Sequence, residues 1–259
     1  MDLGLKGRTA IICASSKGLG KACAFALANE GCNVIINGRN ADSLHQTGNE
    51  IAQKTTAKVI EVVGDISTPQ GQKAILEKCA DPDILITNNH GPRLRDFREL
   101  DRTAILDGVV QNMVTPIELI KAVIDKMVGK KFGRIVNITS TSVYAPIAGL
   151  DLSSGARAGL TSFLAGIART VVADNVTINN LLPGPFLTDR LKQNFIAAAQ
   201  KTGLSVEEVA RTRKQQNPAQ RFGEPEEFGQ ACAFLCSKKS GFITGQNFII
   251  DGGAYLSAF

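Results

Sequence analysis

The 259-residue chain has no tryptophan, only two tyrosines (Tyr144 and Tyr255) and only two histidines (His45 and His90). With so few imidazoles, and six cysteines of which no two form a C-x-x-C pair, the ligand set of a zinc site is missing, and no metal is expected. No apolar run approaches the roughly 18 residues that span a bilayer. The opening Met1–Arg8 segment lacks the apolar core of a secretion signal. The expectation is a cytoplasmic protein with reduced thiols and no membrane partner. The charge excess is small, +5, and the basic residues are not interleaved with aromatics, which excludes a nucleic-acid stacking surface. A 44% hydrophobic content excludes disorder and leaves ample chain for one large core.

Short β-branched runs alternate with longer helical patterns along the whole chain. Thr9–Cys13, Val34–Asn37, Lys58–Val63, Ile84–Thr87, Arg134–Ile138, Thr177–Leu182 and Gly245–Ile250 read as strands. Between them lie helical stretches at Gly18–Asn29, Asp42–Thr55, Arg102–Met127 and Ser154–Val172. A further helix starts at Pro69, with Thr68 as its N-cap. The apolar spacing of Cys232 and Cys236 reads as helix packing. This alternation predicts an α/β fold: a single Rossmann-type, doubly wound domain over 1–259, with a seven-stranded parallel sheet flanked by helices. The stretch from Phe186 to Phe222 breaks the alternation and predicts two helices, the second opened by a Ser205–Glu208 capping box. An insertion after a strand's carboxyl end is placed to act as a substrate lid over a ligand crevice.

After the first strand comes Ala14-Ser15-Ser16-Lys17-Gly18-Leu19-Gly20, then a helix. Glycines permit a tight turn and close backbone approach, and the helix start offers unpaired N–H groups to a pyrophosphate. In this first βα turn the pattern points to a dinucleotide. An acid at the end of the second strand would select NAD by holding the ribose 2′-hydroxyl. The chain instead has Ile36-Asn37-Gly38-Arg39 there. Arg39 and Lys17 supply two cations for a 2′-phosphate, so NADP is preferred to NAD.

Taken jointly, several motifs resemble those of the short-chain dehydrogenase/reductase family, specifically its 3-oxoacyl-(acyl-carrier-protein) reductase-like members. They are Ala14-x-x-x-Gly18-x-Gly20, Gly64-Asp65-Ile66, Asn88-Asn89-His90-Gly91, Asn112, Ile135–Ser140, Pro183–Thr188, Ile243-Thr244-Gly245 and Asp251-Gly252-Gly253. The resemblance covers nearly the whole chain. It implies that the loop residues Ala14, Ser16, Lys17, Gly18, Leu19 and Gly20 cradle the cofactor and that Asp65 and Ile66 hold the adenine. It further implies that Asn89, His90 and Gly91 run along the cofactor, and that Pro183, Gly184, Phe186 and Thr188 meet the nicotinamide carboxamide. It also implies a homodimer or homotetramer, consistent with the apolar surface of the helices at Asn112–Met127 and Ser154–Val172.

The family's catalytic set is Asn, Ser, Tyr and Lys, the last two in a Y-x-x-x-K. Asn112 and Ser140 occupy the first two places. The Tyr place holds Ser153 and the Lys place Arg157, in Ser153-Ser154-Gly155-Ala156-Arg157-Ala158. Arg157 keeps a permanent cation that can bond a ribose. Ser153 has a shorter and far less acidic hydroxyl than the phenol it replaces. Other proton sources are Tyr144, four residues after Ser140, a water held by Ser153, His90 and, least placed, Tyr255.

Arg93, Arg95, Arg98 and Arg102 read as a solvated loop and helix start, with an acidic carrier protein as the alternative. Arg211, Arg213, Lys214 and Arg221 near the lid likewise read as solvated charges, with contact to an anionic substrate as the alternative. The first expectation is an NADP(H)-dependent oxidoreductase interconverting a carbonyl and an alcohol, a 3-oxoacyl thioester or related small ketone. The second is a catalytically impaired NADP(H)-binding homologue acting as sensor or oligomer partner. A non-redox enzyme on the same fold, resembling the halohydrin dehalogenases, comes last, because those keep the tyrosine and lose the glycine loop.

Overall fold

The computed structural model describes residues 1–92 and 94–257. Arg93 therefore lies outside the described residues. Strands β1 (Thr9–Ile12), β2 (Asn33–Gly38), β3 (Val59–Val63), β4 (Ile84–Thr87), β5 (Gly133–Ile138), β6 (Val176–Pro183) and β7 (Asn247–Ile250) form one sheet in the order β3-β2-β1-β4-β5-β6-β7. Every pairing is parallel, for example Ile11 opposite Ile35 and Ile135 opposite Ile178. β1 is flanked by β2 on one side and β4 on the other, so the strand order reverses there. A crevice at the carboxyl ends of the strands is the geometric consequence of such a switch point.

The strands are apolar on both sides because both faces are covered. One face packs Ile12, Ile36, Ile86 and Leu181 against helices α1 (Gly18–Asn29), α2 (Ala41–Lys54) and α9 (Pro225–Cys236). The other packs Ile11, Ile35, Leu85 and Ile135 against α3 (Pro69–Lys78), α5 (Thr115–Gly129) and α6 (Asp151–Val171). Thr68 caps α3 by accepting from the Gly71 amide, with Pro69 in the first turn. Cys23, Cys232 and Cys236 lie fully buried in the α1–α9 core. Among the described residues no helix is long and apolar enough to cross a membrane.

The long helix expected at Arg102–Met127 is interrupted. It runs as α4 (Arg102–Val109), a π turn over Val110–Val114, and then α5. The cause is Pro116, which has no N–H to return to the Asn112 carbonyl, so the ladder widens just before it. The Thr115 amide reaches back to the Val110 carbonyl. The Gln111 carbonyl is thereby released and accepts from Asn89 Nδ2 at 3.2 Å. α6 begins at Asp151, three residues before its expected start, which places Ser153 in its first turn.

The excursion after β6 consists of α7 (Asp189–Thr202) and α8 (Val206–Gln216). Ser205 and Glu208 form a reciprocal capping box at the start of α8. The two helices share a small apolar cluster of their own, Phe195, Ala199, Val209 and Phe222.

Candidate active site

The β1–α1 turn is shaped by steric necessity. Ala14 and Gly18 both adopt positive φ, 44° and 58°. A side chain at Gly20 would place its Cβ 2.4 Å from the Ala14 carbonyl oxygen and 2.8 Å from Asn88 Nδ2. Those two atoms are hydrogen-bonded to each other at 3.1 Å. Gly20 therefore lies beneath the loop, letting β4 clamp it from below, while Ser16, Lys17, Gly18 and Leu19 line the open side. The start of α1 has no side-chain cap, so its first amides stay available to an anion. Asn37 near the end of β2 is buried and fully engaged. It accepts from the Ala14 amide and donates to the Val62 and Gly64 carbonyls.

From this loop a crevice of about 880 Å³ runs across the carboxyl ends of the strands. It gathers most of the residues named from the sequence: Ala14, Ser16 to Leu19, Arg39, Asp65, Ile66, Asn89, His90, Ser140, Ser153, Arg157, Pro183, Gly184, Phe186 and Thr188. Arg39 is largely exposed and lies 3.8 Å from Asp65. Burial pushes the Asp65 carboxyl up, but hydrogen bonds from the Ser67 hydroxyl and amide, with the Arg39 charge, more than offset it and hold the group below its ordinary value. His90 is pushed down by burial and then by Arg39, so its ring is neutral at pH 7.

α6 sets the chemical end of the crevice. Ser153 and Arg157 are four residues apart on one helix face, and Arg157 Nη1 donates to Ser153 Oγ. Both are buried, Arg157 to 8% exposure. Burial, and next the charge of Arg190, push the Arg157 pKa down to about 10, which still leaves a cation at neutral pH. With its oxygen lone pair engaged by a guanidinium, the Ser153 O–H is polarised as a donor. Ser140 faces the same space, and its Oγ accepts from the Ser142 amide at 3.1 Å.

Two of the named catalytic residues stay outside this space. Asn112 is buried in the π turn, and its Nδ2 donates to the Gly108 carbonyl at 3.0 Å. Tyr144 turns outward. Its hydroxyl accepts from Asn247 Nδ2 at 2.7 Å, and its ring lies 5.6 Å from that of Tyr255. Gly91 lies just behind the wall, where an added Cβ would meet the guanidinium groups of Arg190 and Arg157. Among the described residues the crevice lining contains no tyrosine.

Sequence reasoning missed several lining groups. Arg190 reaches the crevice from the first turn of α7 and donates to the Pro92 carbonyl at 3.2 Å. Its position two residues beyond Thr188 was the available signal. Leu94, Ile147 and Leu150 add an apolar wall. Of the other arginines, Arg213 lines the crevice with its guanidinium over Phe195, whereas Arg221 is paired with Glu227 at 2.7 Å and Arg98 with Asp96 at 3.1 Å.

The family model described as enoyl-(acyl carrier protein) reductase matches residues 13–255. The NADPH-dependent reductase BacG of Bacillus subtilis is 31% identical, over 96% of this chain and 98% of its own. The 3-oxoacyl-[acyl-carrier-protein] reductase FabG of Aquifex aeolicus is 28% identical, over 98% of this chain and all of its own. The structure of L-sorbose reductase from Gluconobacter frateurii, complexed with NADPH and L-sorbose, is similar with a TM-score of 0.94 and 26% identity, covering 99% of this chain and 100% of that one.

Proposed function

The chain belongs to the short-chain dehydrogenase/reductase family and is of the oxidoreductase class, and from that premise we propose that it is an NADPH-dependent reductase of a small carbonyl compound. The observation that carries this reading is that one crevice joins the glycine loop, Arg39 and the Ser140–Ser153–Arg157 group. The open helix start, above a loop that Gly20 lets close tightly on Ala14 and Asn88, suits a pyrophosphate. Lys17 and Arg39 hold the 2′-phosphate. Asp65 and Ile66 hold the adenine. Asn89 and His90 follow the ribose side, with Gly91 packed behind them, and Pro183 to Thr188 take the carboxamide. NAD, lacking the 2′-phosphate, is the weaker ligand.

The bound coenzyme supplies a hydride to the carbonyl carbon. Ser140 and Ser153 receive the carbonyl oxygen between their hydroxyls. Ser153 gives that oxygen its proton and regains one from water entering the crevice. Arg157 steadies the Ser153 oxygen while the proton is away, in place of the lysine–phenol pair of the family pattern, and also bonds the ribose. Asn112 acts through the π turn, as a positioning residue that fixes the Gln111 carbonyl for Asn89. The whole chain forms one coenzyme-binding domain, with 186–222 as its substrate lid. Ile105 and Leu106 of α4 and Phe163 of α6 are exposed apolar side chains suited to a dimer or tetramer seam. Six unpaired cysteines suit a reducing cytoplasm.

The lack of a tyrosine in the described lining favours a second reading, a coenzyme-binding homologue without turnover that serves as sensor or oligomer partner. Titration with NADPH and NADH separates the parts. Arg39→Ala should weaken NADPH by about tenfold or more and NADH by less than about threefold, from the loss of one charge-assisted phosphate contact. Equal effects on both would remove the NADP assignment. Tight NADPH binding with no turnover of ketones, 3-oxoacyl thioesters or quinones would select the second reading.

A further inference from the structure

Among the described residues two arginines are buried, and the fold treats them differently. Arg134, at the opposite end of the sheet, is saturated. Its Nε donates to the Ser237 carbonyl, Nη1 to the Gly133 and Asn175 carbonyls, and Nη2 to Asn175 Oδ1, at 2.7–2.9 Å. Its guanidinium also stacks 4.4 Å from the centre of the Phe132 ring. Arg157 is also buried, yet the donor bond it makes to another described residue's side chain is the one to Ser153 Oγ. Among the described residues no carboxylate lies within 4 Å of it. A buried guanidinium has five N–H groups to satisfy, and leaving them unmet is costly.

Arg190 stands beside it. A methyl added at Gly91 would lie 2.9 and 3.0 Å from Arg190 Nη1 and Nη2 and 3.3 Å from Arg157 Nη2. Two guanidinium groups that both line the crevice thus approach each other across Gly91, and Arg190 too has no carboxylate partner among the described residues. Among the described residues it donates to the Pro92 carbonyl. Arg190 is exposed and solvated while Arg157 is buried, and an anion bound between the two like charges would relieve their repulsion. The coenzyme's phosphates are accounted for elsewhere, at the start of α1 and at Lys17 and Arg39. Arg157, one of the converging pair, is bonded to Ser153, where the reacting oxygen is held.

We propose that Arg157 and Arg190 form a carboxylate-binding subsite, and that the substrate is a 2-oxo acid with an apolar substituent. A planar carboxylate matches the forked geometry of a guanidinium. Placing it next to the reacting carbon puts it within reach of both arginines while the carbonyl oxygen stays at Ser153 and Ser140. The apolar substituent lies against Leu94, Ile147 and Leu150, two of which, Leu94 and Ile147, are large apolar side chains left about half exposed. This inference rests on the coenzyme assignment above.

The test is calorimetric titration of the full-length protein saturated with NADP+, which has no hydride to transfer, with phenylpyruvate and with phenylacetone, the same skeleton with methyl in place of carboxylate. The wild-type complex should bind the acid at least about tenfold more tightly, as charge-assisted bidentate contacts provide. In Arg190→Gln that preference should fall to about threefold or less, and Arg190→Lys should retain part of it. Equal affinities in the wild type, no binding of the acid, or a preference that survives Arg190→Gln overturns the proposal. So does a loss of NADPH affinity above about tenfold in Arg190→Gln, which would assign Arg190 to the coenzyme. Absence of NADPH binding to the wild type is a different result and defeats the coenzyme reading instead.

Discussion

Ser153→Ala removes a single oxygen and tests the chemical core of the site. That oxygen accepts from buried Arg157, and its proton is the one assigned to the product. Two costs follow. In the transition state a preorganised donor to the developing alkoxide is lost, an effect of about 10²–10³ in kcat, or roughly 2.7–4 kcal/mol. In the ground state a buried guanidinium N–H loses its acceptor, which costs about 1–3 kcal/mol of stability. For a chain of this length that is a drop of about 2–4 °C in Tm per kcal/mol. The assay is NADPH consumption, followed by its near-ultraviolet absorbance with the reducible compound found by a substrate panel. It is read alongside a thermal melt and an NADPH titration. Tyr144→Phe is the matched control. The Tyr144 hydroxyl is occupied by Asn247 outside the crevice, so its loss should leave turnover within about threefold, less than 1 kcal/mol. If Ser153→Ala stays within threefold of the wild type while Tyr144→Phe abolishes turnover, the assignment of the proton to Ser153 is refuted and Tyr144 must swing into the site.

Two other substitutions probe the framework. Gly20→Ala drives a Cβ to 2.4 Å from the Ala14 carbonyl, so the loop must open. The strain of overpacking, about 1–3 kcal/mol, should weaken NADPH by roughly five- to a hundredfold while circular dichroism stays native. Unchanged affinity would mean that the loop does not carry the pyrophosphate. Phe163→Glu places a charge on an α6 surface where burying one phenyl ring contributes about 1.5–3 kcal/mol. Ultracentrifugation should show a shift toward monomer, and an unchanged sedimentation profile would move the proposed seam elsewhere.

Much of the fold was legible because its causes are local. A strand buried on both faces must be apolar throughout, so β1, β4 and β5 announce themselves as runs such as Thr9–Ile12 and Ile84–Thr87. Thr68–Pro69 and Ser205–Glu208 mark helix starts because capping is satisfied within three or four residues. The glycine loop is legible for the same reason, since backbone conformation at Gly18 and contact at Gly20 leave no room for a side chain. Helix α9 was harder to see. Two cysteines at helical spacing hinted at it, but its burial depends on α1 across the core.

By itself the sequence determined the parallel α/β order, the glycine turn after β1 and the absence of an acid after β2, and the family resemblance implied that Ser153 and Arg157 stand where the pattern has tyrosine and lysine. Only the tertiary structure decided which hydroxyl meets which cation. Tyr144 and Ser153 are both plausible along the chain, and folding turns one out to Asn247 and the other in to Arg157. It also decided that Arg190, 33 positions from Arg157, aims at the same glycine from another helix. The reason is physical: caps, turns and apolar runs are set by neighbours in sequence. The direction of a side chain and the pairing of a buried charge are set by whatever packing brings beside them.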